Sequence, residues 1–194
     1  MKNTRKFALY GTSADPPTYG HKIIIAELAK IYNIVIAYAS DNPSKQHREN
    51  LVFRSLLLKT LIDEFKMTKI FFDQELSSPW AIKTIKKCKK KYDIKQLDFV
   101  IGSDLLKEIS SWKNINEIIN EVNFFIIPRE GYQIDIDDLD FIKNNHGNFE
   151  ISLFKIPKIS SSLIRENFND TDIPRELLPI IRKNNLYTPI KKFK

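Results

Sequence analysis

The chain has 194 residues, with 31 Lys and Arg against 24 Asp and Glu, a net charge of +7. Hydrophobic residues make up 42% and charged residues 28%, which excludes a collagen, a disordered tail and a coiled-coil rod and predicts a single domain over residues 1–194 with a core of its own. The single cysteine, Cys88, excludes an internal disulfide framework and a cysteine-based zinc cluster.

A lone thiol suits a reducing cytoplasm. The basic excess points to polyanions as a class: nucleic acid, a membrane surface or phosphorylated small molecules. The chain is also rich in Ile, Lys and Asn, which accounts for part of that excess, so nucleic acid is not expected as a partner. Ile31–Ser40 is the longest stretch without a formal charge, far short of the roughly 18–20 apolar residues that span a bilayer. Met1–Lys6 is basic, but Phe7–Ala14 lacks the apolar region of an export signal. A cytoplasmic protein without a membrane role is expected.

In chain order, Phe7–Thr12 reads as a buried strand and Pro17–Tyr32 as a helix after a turn. Asn33–Ser40 is a second strand, Asn50–Phe65 a helix, Thr68–Asp73 a third strand and Trp80–Tyr92 a helix. Leu97–Gly102 is the fourth strand; helical stretches near Leu105–Ile109 and Ile115–Asn120 lead to a fifth, Val122–Pro128. Glu150–Ile156 is assigned as a sixth strand. Ser161–Asn167 and Arg175–Asn185 form a C-terminal helical segment. Strands alternating with helices predict an α/β fold: a Rossmann-like, doubly wound parallel sheet with helices on both faces. The near-continuous apolar character of the strands agrees, because such strands are covered on both sides. The run Lys86–Lys91 is read as a solvated helix face.

Ligands of an open parallel sheet bind beyond the carboxyl ends of its strands. The first such junction, Gly11 to His21, matches neither the G-x-G-x-x-G dinucleotide fingerprint nor the G-x-x-x-x-G-K-S/T phosphate loop. It does carry Gly11, the hydroxyl residues Thr12, Ser13 and Thr18, and Gly20-His21 at the opening of a helix. A helix start offers free N–H groups and partial positive charge to a phosphate, and His21 there can donate to a phosphate oxygen. The fourth junction is Ile101-Gly102-Ser103-Asp104. Near the C-terminus, Ser160-Ser161-Ser162 opens a helix with Arg165 one turn on, a second anion site by the same physics.

Thr18-Tyr19-Gly20-His21 together with Ser160-Ser161-Ser162-Leu163-Ile164-Arg165 resembles the H/T-x-G-H and I-S-S-T-x-I-R motifs of the nucleotidyltransferase superfamily. Within it, the chain is similar nearly end to end to the bacterial nicotinate-nucleotide adenylyltransferases. Asn42-Pro43-Ser44-Lys45, Ser78 to Ile85, Ile101 to Asp104 followed by Trp112, Ile127 to Gly131, and Leu177 to Tyr187 each resemble a family segment, in the family order.

The resemblance implies transfer of the AMP part of ATP to nicotinate mononucleotide, giving deamido-NAD and pyrophosphate. It assigns the ATP phosphates to Thr18, His21 and Arg165 as catalytic residues. Gly11, Thr12, Ser13, Ser161 and Ser162 would complete the ATP site, with Gly102 and Asp104 at its ribose. Lys45 would meet a substrate phosphate and Trp112 the pyridine ring. The Ala81 main-chain N–H and Arg129 would take the nicotinate carboxylate. Mg2+ would be bound through ATP oxygens, with no dedicated protein ligands.

Several residues depart from the family pattern. Thr18 stands where this family more often has His, although the superfamily accepts Thr. Ser13-Ala14 replaces T-F, Ser44 replaces a His, and Trp80-Ala81 replaces Tyr-Thr. Those changes leave open the same chemistry on nicotinamide mononucleotide or phosphopantetheine. A non-catalytic nucleotide- or RNA-binding module and a homo-oligomer stay open too. Asp15 is read as a turn residue and Trp112 as either ring platform or core aromatic. His47, His146 and Cys88 receive no role.

Overall fold

The computed structural model describes residues 6–157, 159–166 and 169–187. Six strands form one sheet: β1 (Phe7–Thr12), β2 (Ile34–Ala39), β3 (Ile70–Phe72), β4 (Asp98–Gly102), β5 (Asn123–Ile127) and β6 (Asn148–Ile151). Their order is β3-β2-β1-β4-β5-β6, and every neighbouring pair is parallel. The chain therefore winds one way from β1 to β3, returns to β4 beside β1, and winds the other way to β6. The order reverses between β1 and β4, which opens a crevice beyond their carboxyl ends.

Among the described residues seven α-helices cover the sheet: α1 (Tyr19–Ile31), α2 (Leu51–Asp63), α3 (Ala81–Tyr92), α4 (Ile115–Glu121), α5 (Ile136–Asn144), α6 (Ser161–Glu166) and α7 (Leu178–Lys183). Alternate strand residues point to opposite faces, and both faces are buried. Ala8, Val35, Ala37 and Phe125 pack with Ile25 and Leu28 of α1, Leu57 and Leu61 of α2 and Ile181 of α7. Leu9, Ile36, Phe99 and Phe124 pack on the other side with Ile82 and Ile85 of α3, Ile118 of α4 and Ile142 of α5. Two covered faces explain why β1, β2 and β5 read as unbroken apolar runs. Among the described residues no helix is long and apolar enough to cross a membrane.

The structure corrects the sequence reading at three places. The sixth strand is Asn148–Ile151, not Glu150–Ile156. It is an edge strand with only Phe149 half-buried, so its apolar signal is weak. Helix α5 was not anticipated, because Asp137, Asp138 and Asp140 fill a helix whose one fully buried residue is Ile142. The stretch expected near Leu105–Ile109 is a 3-10 helix over Ser103–Ser111. Asn167, placed at the end of α6, lies outside the described residues.

Three lysines of α3 are paired with acidic neighbours. Lys86 pairs with Glu117, and Lys89 with Glu121 at 2.6 Å. Lys91 pairs with Asp73 at 2.8 Å and Glu75 at 2.7 Å.

Candidate active site

The crevice beyond β1 and β4 is a groove of about 1010 Å³. Its floor is the loop from β1 into α1. Thr18 is the N-cap of α1 and is fully buried. His21, three residues on, folds back so that its Nδ1 accepts the Thr18 N–H at 3.0 Å and lies 2.9 Å from Thr18 Oγ1. The imidazole here fills the part that Glu or Gln plays in a capping box. A backbone N–H can only donate, so Nδ1 is the acceptor and the ring proton sits on Nε2. Nε2–H then donates to Thr12 Oγ1 at 2.9 Å. Desolvation, helped by the charge of Arg129, pushes the imidazole down to about 3. His21 is therefore a neutral, fixed-tautomer donor at the groove.

Helix α6 approaches from the far end of the sequence and is fastened to this same loop. Ser161 Oγ donates to the Pro16 carbonyl at 2.8 Å, and Arg165 Nη1 donates to the Asp15 carbonyl at 2.8 Å. Arg165 Nη2 also donates to Ser162 Oγ at 3.1 Å, while Ser160 Oγ caps α6 by accepting the Leu163 N–H. His21 and Arg165 thus face one groove, with Ser161 and Ser162 beside them.

Glycines at two junctions are required by close approach. A Cβ on Gly11 would overlap the Tyr38 hydroxyl and come within 2.5 Å of Tyr38 Cζ. A Cβ on Gly102 would overlap Asp104 and sit 3.0 Å from Arg129 Cδ. Asp104 and Arg129 form an ion pair at 2.8 Å. The Arg129 N–H is held by Ser103 Oγ at 3.0 Å, and that hydroxyl donates to the Tyr132 carbonyl at 2.9 Å.

The wall beyond β4 is aromatic. Trp112, half-buried, meets Phe99 edge-on, with ring centroids 6.3 Å apart. Lys113 Nζ lies 4.3 Å over the ring of Trp80, the residue before Ala81 at the start of α3. N–H groups in the first turn of a helix have no partner within it, so the Ala81 end of α3 presents donors to this wall. Lys45 is exposed and also lines the groove.

Every residue singled out for the site in the sequence lines this groove. The hydroxyl of Thr18 lies against His21 and that of Ser161 donates to a backbone carbonyl, while Asp104 and Arg129 share an ion pair.

Sequence reasoning missed others. His47, given no role, sits on the groove with Nε2 3.4 Å from Ser13 Oγ, and burial and Arg54 push its pKa down. Arg54 lies buried beneath the loops, donating to the carbonyls of Ser13 and Ser40 at 2.8 Å each. Asp15, read as a turn residue, is fully buried and heavily bonded. The Lys113–Trp80 contact joins residues with no common motif.

Among the described residues no group of three or more His, Cys, Asp or Glu could hold a metal ion. Both aspartates on the groove already face an arginine, Asp15 with Arg165 and Asp104 with Arg129. Beside Glu108 and Glu130, the groove is lined by neutral and cationic donors, several of them at helix starts, a set that suits a polyphosphate. A doubly wound sheet carrying these donors at its switch point defines the class: an α/β nucleotide-binding protein.

Comparison with known proteins narrows this. The sequence pattern of the family described as cytidylyltransferase-like matches residues 9–167. A Synechocystis sp. protein named "Probable nicotinate-nucleotide adenylyltransferase" is 31% identical, over 94% of this chain and 98% of its own. A Bacillus cereus protein of the same name is 30% identical over the same shares. Among solved structures, Plasmodium falciparum nicotinic acid mononucleotide adenylyltransferase complexed with NaAD superposes with a TM-score of 0.76 at 23% identity. The match covers 94% of this chain and 97% of that one, and at that identity it speaks for the fold. The chain belongs to the cytidylyltransferase-like family.

Proposed function

We propose that this chain, acting in the cytoplasm, joins nicotinate mononucleotide to the adenylyl part of ATP in NAD biosynthesis. The products are deamido-NAD and pyrophosphate. The chain is a nucleotidyltransferase. One observation carries the reading of the site: two anion-binding segments, from opposite ends of the sequence, are bonded together on one groove, with His21 and Arg165 facing it. The names of the curated relatives support the acceptor.

In the reaction a phosphate oxygen of the mononucleotide bonds to the α-phosphorus of ATP. The bond from that phosphorus to the α–β bridging oxygen breaks, and pyrophosphate leaves with the electron pair. No side-chain nucleophile is needed; the work is alignment and charge stabilisation. His21 Nε2–H turns from Thr12 Oγ1 to an α-phosphate oxygen, with Thr18 holding Nδ1. Ser162 and Arg165 take the β- and γ-phosphates, and Ser161 anchors α6 for them. Gly11, Thr12 and Ser13 form the floor under the triphosphate. Gly102 lets Asp104 reach the ribose, with Arg129 holding the carboxylate in place.

The mononucleotide occupies the aromatic wall. Its pyridinium ring stacks on Trp112 as a cation on an electron-rich face. Its carboxylate meets the Ala81 N–H, with Lys113 and Arg129 supplying positive charge nearby. Lys45 reaches the mononucleotide phosphate from the rim. No described residues form a site for Mg2+, which would come with ATP and would supply neutralisation of phosphate charge.

The reaction also runs backwards, which gives a test. Deamido-NAD and pyrophosphate supplied to the purified chain should yield ATP and nicotinate mononucleotide. Failure to form ATP from them, with the protein folded, refutes the proposal.

A further inference from the structure

The loop beneath His21 contains a buried carboxylate that none of these roles uses. Asp15 is fully buried. Its Oδ2 accepts the Arg48 N–H at 2.7 Å, and its Oδ1 accepts the Glu49 N–H at 3.2 Å and the Tyr187 hydroxyl at 2.9 Å. Arg165 lies across from it. Nη1 donates to the Asp15 carbonyl at 2.8 Å yet stands 3.8 Å from Oδ2. Arg48 Nη1 donates to the Arg165 carbonyl at 3.1 Å, and the Tyr187 N–H is 3.3 Å from Glu49 Oε1. One carboxylate thus ties together the first loop, the loop before α2, helix α6 and the residue at the far end of the described chain.

A buried carboxylate persists when donors surround it, and here the phenol is one of them. Burial and the charge of Asp15 both push Tyr187 far above its ordinary value, so the hydroxyl always has its proton to give. The backbone on each side of this bond is strained. Ala14 has φ 48° and Tyr187 φ 57°, left-handed values that residues with a side chain rarely adopt and that persist only where surroundings over-determine them.

The loose 3.8 Å separation of Arg165 from the carboxylate is the informative distance. The Tyr187 hydroxyl and the Glu49 N–H on Oδ1, with the Arg48 N–H on Oδ2, hold the carboxylate back from the guanidinium. Its backbone carbonyl holds Nη1 instead, and the positive charge stays available to the groove.

We propose that Asp15 and Tyr187 form a positioning pair that keeps Arg165 aimed at the β- and γ-phosphates of ATP. Neither residue touches substrate. The pair rests on the adenylyltransferase reading for the target of Arg165. Without the phenol, the carboxylate turns to Arg165 and draws the guanidinium off the groove.

Tyr187→Phe tests this in the full chain, since it keeps the ring and removes only the hydroxyl. Two quantities are read: the Kd for ATP by titration calorimetry, and KM for ATP and for nicotinate mononucleotide from pyrophosphate release. Tyr187→Phe should raise the ATP constants by about 2–13-fold, the change that loss of one ordinary hydrogen bond produces. The mononucleotide KM should stay within about twofold, and in an Arg165→Ala background Tyr187→Phe should change nothing further. Asp15→Asn removes the charge that would draw Arg165, so in an Asp15→Asn background Tyr187→Phe should no longer raise the ATP constants; if that variant does not fold, the tyrosine series decides.

A merely structural pair would lower the melting temperature and leave the ATP constants unaltered, which overturns the proposal. An equal effect of Tyr187→Phe in the Arg165→Ala background also overturns it. Wild type that binds ATP but releases no pyrophosphate defeats the reaction assigned above, while the Kd series still decides the pair. Wild type that does neither overturns both.

Discussion

The tautomer of His21 leads to a prediction that separates donor from orienter. His21→Ala removes the Nε2–H proposed to meet developing charge on the α-phosphate. Loss of one such preorganised donor costs about 10²–10³-fold in kcat, or about 2.7–4 kcal/mol. Thr18→Val acts at one remove. It deletes the hydroxyl 2.9 Å from Nδ1 but keeps the backbone N–H bond at 3.0 Å. The ring keeps one of its two anchors on that nitrogen, so the loss is that of one ordinary hydrogen bond, about 0.5–1.5 kcal/mol. This converts to about 2–13-fold in kcat. The double variant should match His21→Ala alone, because Thr18 works only through the ring. Steady-state pyrophosphate release with saturating substrates measures all three. If Thr18→Val costs as much as His21→Ala, or if the two losses multiply, Thr18 meets the phosphate itself and the orienting role is wrong.

Three further outcomes are expected. Gly11→Ala should cost about 1–3 kcal/mol of stability by overpacking against Tyr38, where the added carbon comes within 2.5 Å of Cζ, read as a lower melting temperature. Trp112→Ala should raise KM for the mononucleotide by about tenfold, from a cation–ring contact of about 1–2 kcal/mol, and leave that for ATP nearly unchanged; an equal rise in both would end the stacking role. The third concerns acid. The folded pKa of His21 lies near 3, below its ordinary 6.5, so between those values the unfolded chain binds the extra proton. This contribution to stability is complete above about pH 6.5 and is lost as pH falls toward 3. The His21 ring resonances should therefore stay those of the neutral form from pH 8 to 5, and a titration near 6.5 would contradict the buried tautomer.

The parts of this protein legible in sequence share a physical cause. Strands β1, β2 and β5 lie between two packed layers, so nearly every residue is apolar and the run announces itself. Edge strand β6 is mostly exposed and gives no such run. Helix α5 hides behind its aspartates because it buries little. The same contrast holds in the site. His21 and Gly102 sit where strand ends meet helix starts, and Arg165 follows the serines that open α6; that grammar is local. Asp15 is bonded to a residue 172 positions away, and Lys113 finds Trp80 only through folding. Nothing in the neighbourhood of either residue signals those partners. The pairing of Asp104 with Arg129 likewise follows from β4 and β5 lying side by side.

The most direct test supplies ATP with nicotinate mononucleotide, nicotinamide mononucleotide or phosphopantetheine in turn and follows pyrophosphate. The account predicts release coupled one-to-one to deamido-NAD, with kcat/KM highest for the acid mononucleotide. Comparable or greater efficiency with either other acceptor, or no release with any of them, would contradict it.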